Sequence, residues 1–308
     1  MDRISQKNIT KSEEIRLANR DLRPLGYRFI LDNKNFPVTL GRGGVGSVYK
    51  GYSKYSGYQV AIKCLKNKYI SVSDIREKFL IEANIYMELD HPNIVKLRDF
   101  ISNEQTEYRS YAILELVDGV DMSYWIKKVW NSLPIPTEVA IPLMCEILEG
   151  IRYAHNRKLT MDGYDGVLHL DIKPANILIT SSGVKIIDYG ISQGGSDVRA
   201  KRMMYSLPYA APEQLLSDSV LDKRTDIYAL GILFREMLTG QNWIPHTLRD
   251  TSAIKDWIQN KELPPISEST NNDNIDLQLI IDKAVEKDPN DRYQTCEDFL
   301  HDLKELEN

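Results

Sequence analysis

The alternation of apolar and polar positions divides the chain into a β-rich first part and a helical remainder. From Pro37 to about Ile62, short apolar runs alternate with glycine turns, VTLGRGGVGSVYKGY and then SGYQVAIKCL, which predicts a β-hairpin followed by a third strand. Ser73–Asp90 instead places Ile75, Phe79, Ile81, Ile85, Tyr86 and Leu89 near helical spacing. His91-Pro92-Asn93 ends that helix, because the residue before a proline is driven out of the helical region. Two further strands are predicted around Ile94–Ile101 and Arg109–Val117, and Asp118-Gly119 breaks the chain after them. The later periodicity is helical at Ile141–His155, Asp226–Leu238, Leu277–Glu286 and Cys296–Leu306. The expected class is therefore α+β, with a small sheet lobe carrying one main helix at 37–117 and a larger, mainly helical lobe at 118–308. Residues 1–36 read as an extension packing on the main body. Thr10 to Glu13 has capping-box spacing, and Ile15, Leu17, Ala18 and Leu22 suggest a short amphipathic helix.

Composition narrows the classes without choosing among enzymes. The 308 residues suit one large domain or a two-lobed one, and 42% hydrophobic with 27% charged residues is ordinary for a globular chain. The longest apolar stretches, Tyr111–Val117 and Ile227–Phe234, are interrupted by Glu115 and Gly231 and read as buried core rather than membrane spans. The start, MDRISQKNIT, has no apolar run of the kind a secretory leader carries, so a cytoplasmic chain is expected. Cys64, Cys145 and Cys296 lie far apart, which argues against a zinc site or a disulfide framework. A net charge of −5 disfavours nucleic acid held by a general basic field.

Candidate chemistry begins in the hairpin. Gly41-Arg42-Gly43-Gly44-Val45-Gly46-Ser47-Val48 fits G-x-G-x-x-G-x-V, in which glycines let backbone amides approach phosphate oxygens. Alone the pattern is weak, since a plain glycine turn or a dinucleotide fold also gives it, although in the latter the glycines open a helix. The next strand carries Val60-Ala61-Ile62-Lys63, and Glu82 on the following helix is the candidate counter-charge for that lysine. His169-Leu170-Asp171-Ile172-Lys173-Pro174-Ala175-Asn176 puts an aspartate, a lysine and an asparagine on one loop. These offsets suit a base for an acceptor hydroxyl, a cation for a γ-phosphate and an amide oxygen for Mg2+. Val184-Lys185-Ile186-Ile187 is a strand ending in Asp188-Tyr189-Gly190, where a carboxylate can also hold Mg2+, and Ala211-Pro212-Glu213 closes the segment after it.

Five motifs occur in this order, and over roughly Val38 to Leu306 the chain resembles a eukaryotic-type (Hanks-type) serine/threonine protein kinase of the sort also found in bacteria. The resemblance implies a two-lobed fold and transfer of the γ-phosphoryl group of Mg-ATP to serine or threonine hydroxyls of protein substrates, with autophosphorylation. It implies Leu114 as gatekeeper, Glu115 to Val117 as the adenine-binding hinge, Asp121 as a ribose contact, and Val48, Ala61 and Leu178 around the adenine ring. Tyr86, Leu97, His169 and Tyr189 would stack as a spine anchored by Asp226, and Glu213 would pair with Arg292 as a structural bridge. Lys173 and Ser206 resemble the serine/threonine branch. Three departures stand out: Leu170 where the family has arginine, Tyr189 where it has phenylalanine, and a longer Asn156–Gly166 stretch that reads as a surface loop. A catalytically dead relative would usually lack one of Lys63, Glu82, Asp171, Lys173, Asn176 or Asp188. A small-molecule kinase would lack the Ala211-Pro212-Glu213 segment and its arginine.

Overall fold

The computed structural model describes residues 20, 22–66, 69, 72–102, 110–159, 166–189, 193–194, 198–199, 205–268 and 274–306. They fall into two compact units, one running to Met87 and resuming at Lys96–Val117, the other comprising Glu88–Val95 and the chain from Asp118 onward. No helix among the described residues is long and apolar enough to cross a membrane.

The first unit is an antiparallel sheet with one main helix. Its strands are β1 (Tyr27–Phe29), β2 (Thr39–Arg42), β3 (Gly46–Ser53), β4 (Gln59–Leu65), β5 (Leu97–Ser102) and β6 (Ser110–Glu115), and its helix is α1 (Ser73–Glu88). The strands are ordered β1-β3-β4-β6-β5, with β2 also paired to β3. Alternation along these strands turns Phe29, Val60, Ile62, Ile101, Tyr111 and Ile113 into one core cluster. Leu22 is fully buried in the same cluster. The rest of its proposed helix, including Thr10 and Glu13, lies outside the described residues. The extension also supplies β1, a strand that the apolar pattern did not announce. Its run is only three residues long, and the following excursion from Leu31 to Pro37 hides the continuity.

Glu88–Val95 differs from expectation, because it packs with the second unit. Asn93 Nδ2 donates to Glu146 Oε2 at 3.0 Å and to the Val184 carbonyl at 3.2 Å, and Val95 N donates to the Ile186 carbonyl at 3.0 Å. The strand that follows accordingly starts at Leu97, not Ile94.

The second unit contains β7 (Gly119–Asp121), α2 (Thr137–His155), β8 (Val167–Leu168), β9 (Ile177–Thr180), β10 (Gly183–Ile186), α3 (Lys223–Thr239), α4 (Thr251–Asn260), α5 (Ile275–Ala284) and α6 (Cys296–Glu305). β9 is the central strand between β10 and β7. Helix α3 is buried on every side from Thr225 to Thr239, which marks it as the core of this unit rather than a surface helix. Gly231 lets α5 approach, since a Cβ there would lie 2.8 Å from Ala284 Cβ and 2.6 Å from Val285 Cγ1. Asp222 caps the start of α3 through Arg224 N, and Gly240 at φ 70° ends it in the left-handed conformation that glycine adopts without a Cβ clash. Asp250, Asn274 and Thr295 cap α4, α5 and α6 in the same manner.

Candidate active site

In the first unit the glycines occupy the turn between β2 and β3, with Gly41 opposite Val48 and Arg42 opposite Ser47. They join two strands and open no helix, which removes the dinucleotide alternative. A Cβ on Gly41 or Gly44 would meet nothing within 4 Å, and on Gly43 only the Gly46 carbonyl at 3.8 Å. None of these residues has a positive φ, so neither backbone conformation nor internal packing requires glycine there. What their bareness preserves is space for an approaching group, which is the property a phosphate cradle needs. Gly46 is different, because a Cβ there would sit 3.0 Å from the Cys64 carbonyl.

Lys63 lies on β4 opposite Val48 and Ala112, and its Nζ meets Glu82 Oε1 at 2.5 Å with both side chains largely shielded from solvent. Helix α1 turns Glu82 inward beside Phe79, Ala83, Ile85 and Tyr86, so a buried charge is held by its partner rather than by water. Ala61 and Leu114 are directly paired neighbours on β4 and β6, and both are buried. Glu115 closes β6, its Oε1 accepting from Lys96 N at 3.1 Å, and Val117 ends the unit.

The second unit gathers the other candidates. Lys173 Nζ donates to Asp171 Oδ2 at 2.5 Å and to Ser206 Oγ at 2.8 Å, while Ser206 N donates to Asp171 Oδ1 at 3.1 Å. Asp171 is thereby fixed at both oxygens. Asn176 Nδ2 donates to the Asp171 carbonyl at 2.9 Å. A carbonyl only accepts, so the nitrogen is committed there and the amide oxygen is left as a hard donor. Ile187 N donates to the Asn176 carbonyl at 2.9 Å, which brings the chain carrying Asp188 alongside Asn176. Asp188 has φ 67°, an uncommon conformation that aspartate tolerates better than most residues. Tyr189 is fully buried against His169, with ring centroids 4.6 Å apart. Leu178 on β9 is paired with Asp121, whose Oδ1 accepts from Tyr124 N at 2.8 Å and so also serves as a helix cap.

The loop carrying His169 to Asn176 is held by α3. Asp226 is fully buried, and it accepts from His169 N at 2.8 Å and from Leu170 N at 2.7 Å. Leu170 is buried and has φ 63°, and Gln214 Nε2 donates to its carbonyl at 3.1 Å. These two contacts hold a backbone conformation that a branched residue would not adopt by itself. His155, at the end of α2, completes the support with Nε2 2.8 Å from Asp226 Oδ2 and Nδ1 3.6 Å from Cys296 Sγ. Burial would push His155 down, but Cys296 and the Asp226 hydrogen bond outweigh it and hold its pKa at about 10. His155, Gln214 and Cys296 were not flagged from the sequence, because nothing local distinguishes them from ordinary helix or core residues. Glu213 and Arg292 form the expected bridge, bidentate at 2.8 and 2.9 Å. Ser192, Ser196, Lys201 and Arg202 lie outside the described residues, as do 160–165 of the longer loop.

Residues 35–303 match the protein kinase domain family. The chain belongs to that family. Its α+β architecture is the two-lobed kinase fold, with a sheet-rich first lobe and a mainly helical second one. Among relatives, a probable serine/threonine-protein kinase of Clostridium perfringens is 33% identical over 271 residues, 87% of this chain and 37% of that protein. Serine/threonine-protein kinase PrkC of Bacillus subtilis is 32% identical over 281 residues, 86% of this chain and 39% of that protein. PknB of Mycobacterium tuberculosis is 30% identical over 278 residues, 87% and 42% of the two chains. The chain thus spans about two fifths of the length of the curated relatives it matches.

Proposed function

We propose that this kinase domain is catalytically active and transfers the γ-phosphoryl group of Mg-ATP to serine and threonine hydroxyls of proteins, its own included. The observation that carries the proposal is the fixing of Asp171 between Lys173, Ser206 and Asn176. A carboxylate held in this way is poised to take the proton of an acceptor hydroxyl. The acceptor oxygen then forms a bond to the γ-phosphorus as the bond to the β–γ bridging oxygen breaks, ADP leaves, and the proton resides on Asp171. Lys173 supplies positive charge to the transferred group. In the first unit Lys63, oriented by Glu82, is assigned to the α- and β-phosphates, and Gly41, Gly43, Gly44 and Gly46 present the loop backbone to the phosphates. Val48, Ala61, Leu114, Glu115, Val117, Asp121 and Leu178 are assigned to the adenosine.

Asn176 and Asp188 would hold Mg2+, which when bound neutralises charge on the phosphates. Two oxygen donors suit an ion that takes its remaining ligands from phosphate and water. Among the described residues no group of three or more His, Cys, Asp or Glu is arranged to hold a metal ion. With ATP as donor, we assign the activity to the cytoplasm.

Incubating the protein with Mg-ATP and a generic protein acceptor, followed by phosphoamino-acid analysis, tests the reading. Phosphoserine and phosphothreonine are expected, and Asp171→Asn should remove both. Mainly phosphotyrosine would overturn the specificity. ATP turnover with no phosphoprotein would overturn the substrate class.

A further inference from the structure

Lys66, immediately after β4, was assigned nothing by the sequence pattern, yet it binds three consecutive carbonyls of the glycine turn. Its Nζ donates to the Gly43 carbonyl at 2.5 Å and to the Gly44 carbonyl at 3.1 Å, and its backbone N donates to the Val45 carbonyl at 2.9 Å. Strand pairing explains the reach. Gly46 lies opposite Leu65, so the next residue runs alongside the turn.

The direction of those carbonyls has a consequence for the other face of the loop. In a planar trans peptide the C=O and the following N–H point to opposite sides, and the described chain has no cis peptide. The N–H groups of Gly44, Val45 and Gly46 are therefore turned away from Lys66. Successive amides presented on one side form an anion-binding concavity. The turn is soft at this point, because the Gly43-Gly44 pair lacks the Cβ atoms that would restrict rotation of their shared peptide. Something must select one orientation, and a cation on the carbonyl side does so.

We propose that Lys66 is a positioning residue for the nucleotide, holding the Gly43–Val45 carbonyls so that the Gly44 and Val45 amides are pre-aimed at the phosphate oxygens of ATP. This rests on the kinase reading above. Lys66 acts through the loop rather than on the phosphates, which separates it from Lys63, whose ammonium is engaged by Glu82.

Calorimetric titration of wild type, Lys66→Met and Lys66→Arg with Mg-ATP and, separately, with adenosine tests the proposal. Lys66→Met should weaken Mg-ATP about tenfold, a value set by losing charge-assisted hydrogen bonds at a solvent-accessible site. Adenosine, which has no phosphate, should bind all three proteins equally. Lys66→Arg should recover most of the ATP affinity. NMR amide exchange gives a readout independent of nucleotide. The Gly43 N–H, which donates to the Gly46 carbonyl at 3.0 Å, should exchange faster in Lys66→Met. In initial-rate assays KM for ATP should rise by the same factor while kcat changes little. Unchanged Mg-ATP affinity in Lys66→Met would overturn the proposal, as would an equal loss of adenosine, which signals general damage to the sheet. A wild-type protein that binds adenosine and Mg-ATP alike overturns it too, and one that binds neither overturns the kinase reading itself.

Discussion

Removing Arg292 should strongly destabilise the second unit. All five guanidinium N–H groups are engaged: two on Glu213, at 2.8 and 2.9 Å, and the others on the carbonyls of Glu286, Arg224 and Lys287 at 2.7, 3.0 and 3.0 Å. Its side chain is 0% exposed, and the guanidinium carbon lies 4.9 Å from the centre of the Tyr228 ring. Arg292→Met keeps the bulk but strands the Glu213 carboxylate with Thr225 Oγ1, at 2.9 Å, as its remaining side-chain partner among the described contacts. Breaking a buried pair from one side costs about 3–5 kcal/mol, because the surviving charge is uncompensated. At about 2–4 °C per kcal/mol for a unit of this size, the melting midpoint should fall by roughly 10 °C. The double variant Glu213→Gln, Arg292→Met removes the stranded charge and should be more stable than Arg292→Met alone. Chemical denaturation of the three proteins, followed by far-UV circular dichroism, measures the differences. A loss below about 1 kcal/mol for Arg292→Met, or a double variant no better than the single one, would refute the argument.

Asp188→Asn should abolish Mg-dependent phosphoryl transfer while leaving the melting curve in place, since asparagine accepts the φ of 67° at this position; near-normal turnover would remove Asp188 from the metal site. Lys63→Met should lower turnover by orders of magnitude, and retained activity would mean that another cation orients the α- and β-phosphates. Leu170 is buried and uncharged, so it has nothing with which to bind a phosphate on the segment from Asp188 to Glu213, and catalysis should not require phosphorylation there. Phosphatase-treated wild type and a Ser192→Ala, Ser196→Ala, Tyr205→Phe variant should keep initial rates on an added substrate, whereas a hundredfold drop, about 2.7 kcal/mol in barrier, would contradict this. For pH, the folded pKa of His155, about 10, lies above its ordinary value near 6.5. Its stabilisation is complete below the lower value and is lost as pH rises through the upper one. Lys287, lowered to about 8 by burial and Arg292, contributes with the opposite sign above that pH. Between pH 6.5 and 8 the melting midpoint should therefore fall with pH in wild type, and the slope should be flatter in His155→Gln.

The groups assigned to the chemistry were legible because each motif is contiguous. A glycine turn between two apolar runs, a lysine ending a third, and Asp171, Lys173 and Asn176 on one loop are local patterns, and local geometry follows from them. Helices α1, α2, α3, α5 and α6 are likewise readable from spacing, whereas β1 is too short and α4 lies outside the predicted helical stretches. The family resemblance implied Asp226 as an anchor, and tertiary structure decided its partners and the other distant groups that hold those motifs in place. Asp226 reaches back to His169 and Leu170, His155 comes to Asp226 from α2, and Gln214 returns to the Leu170 carbonyl. Lys66 is close in space to Gly43 only because β3 and β4 pair in one register. Apolar periodicity states which face of an element is buried, but not which donor will satisfy a given carbonyl or carboxylate there. That choice is made when the elements pack, because a buried polar group must take whichever complementary partner the packing brings within hydrogen-bond distance.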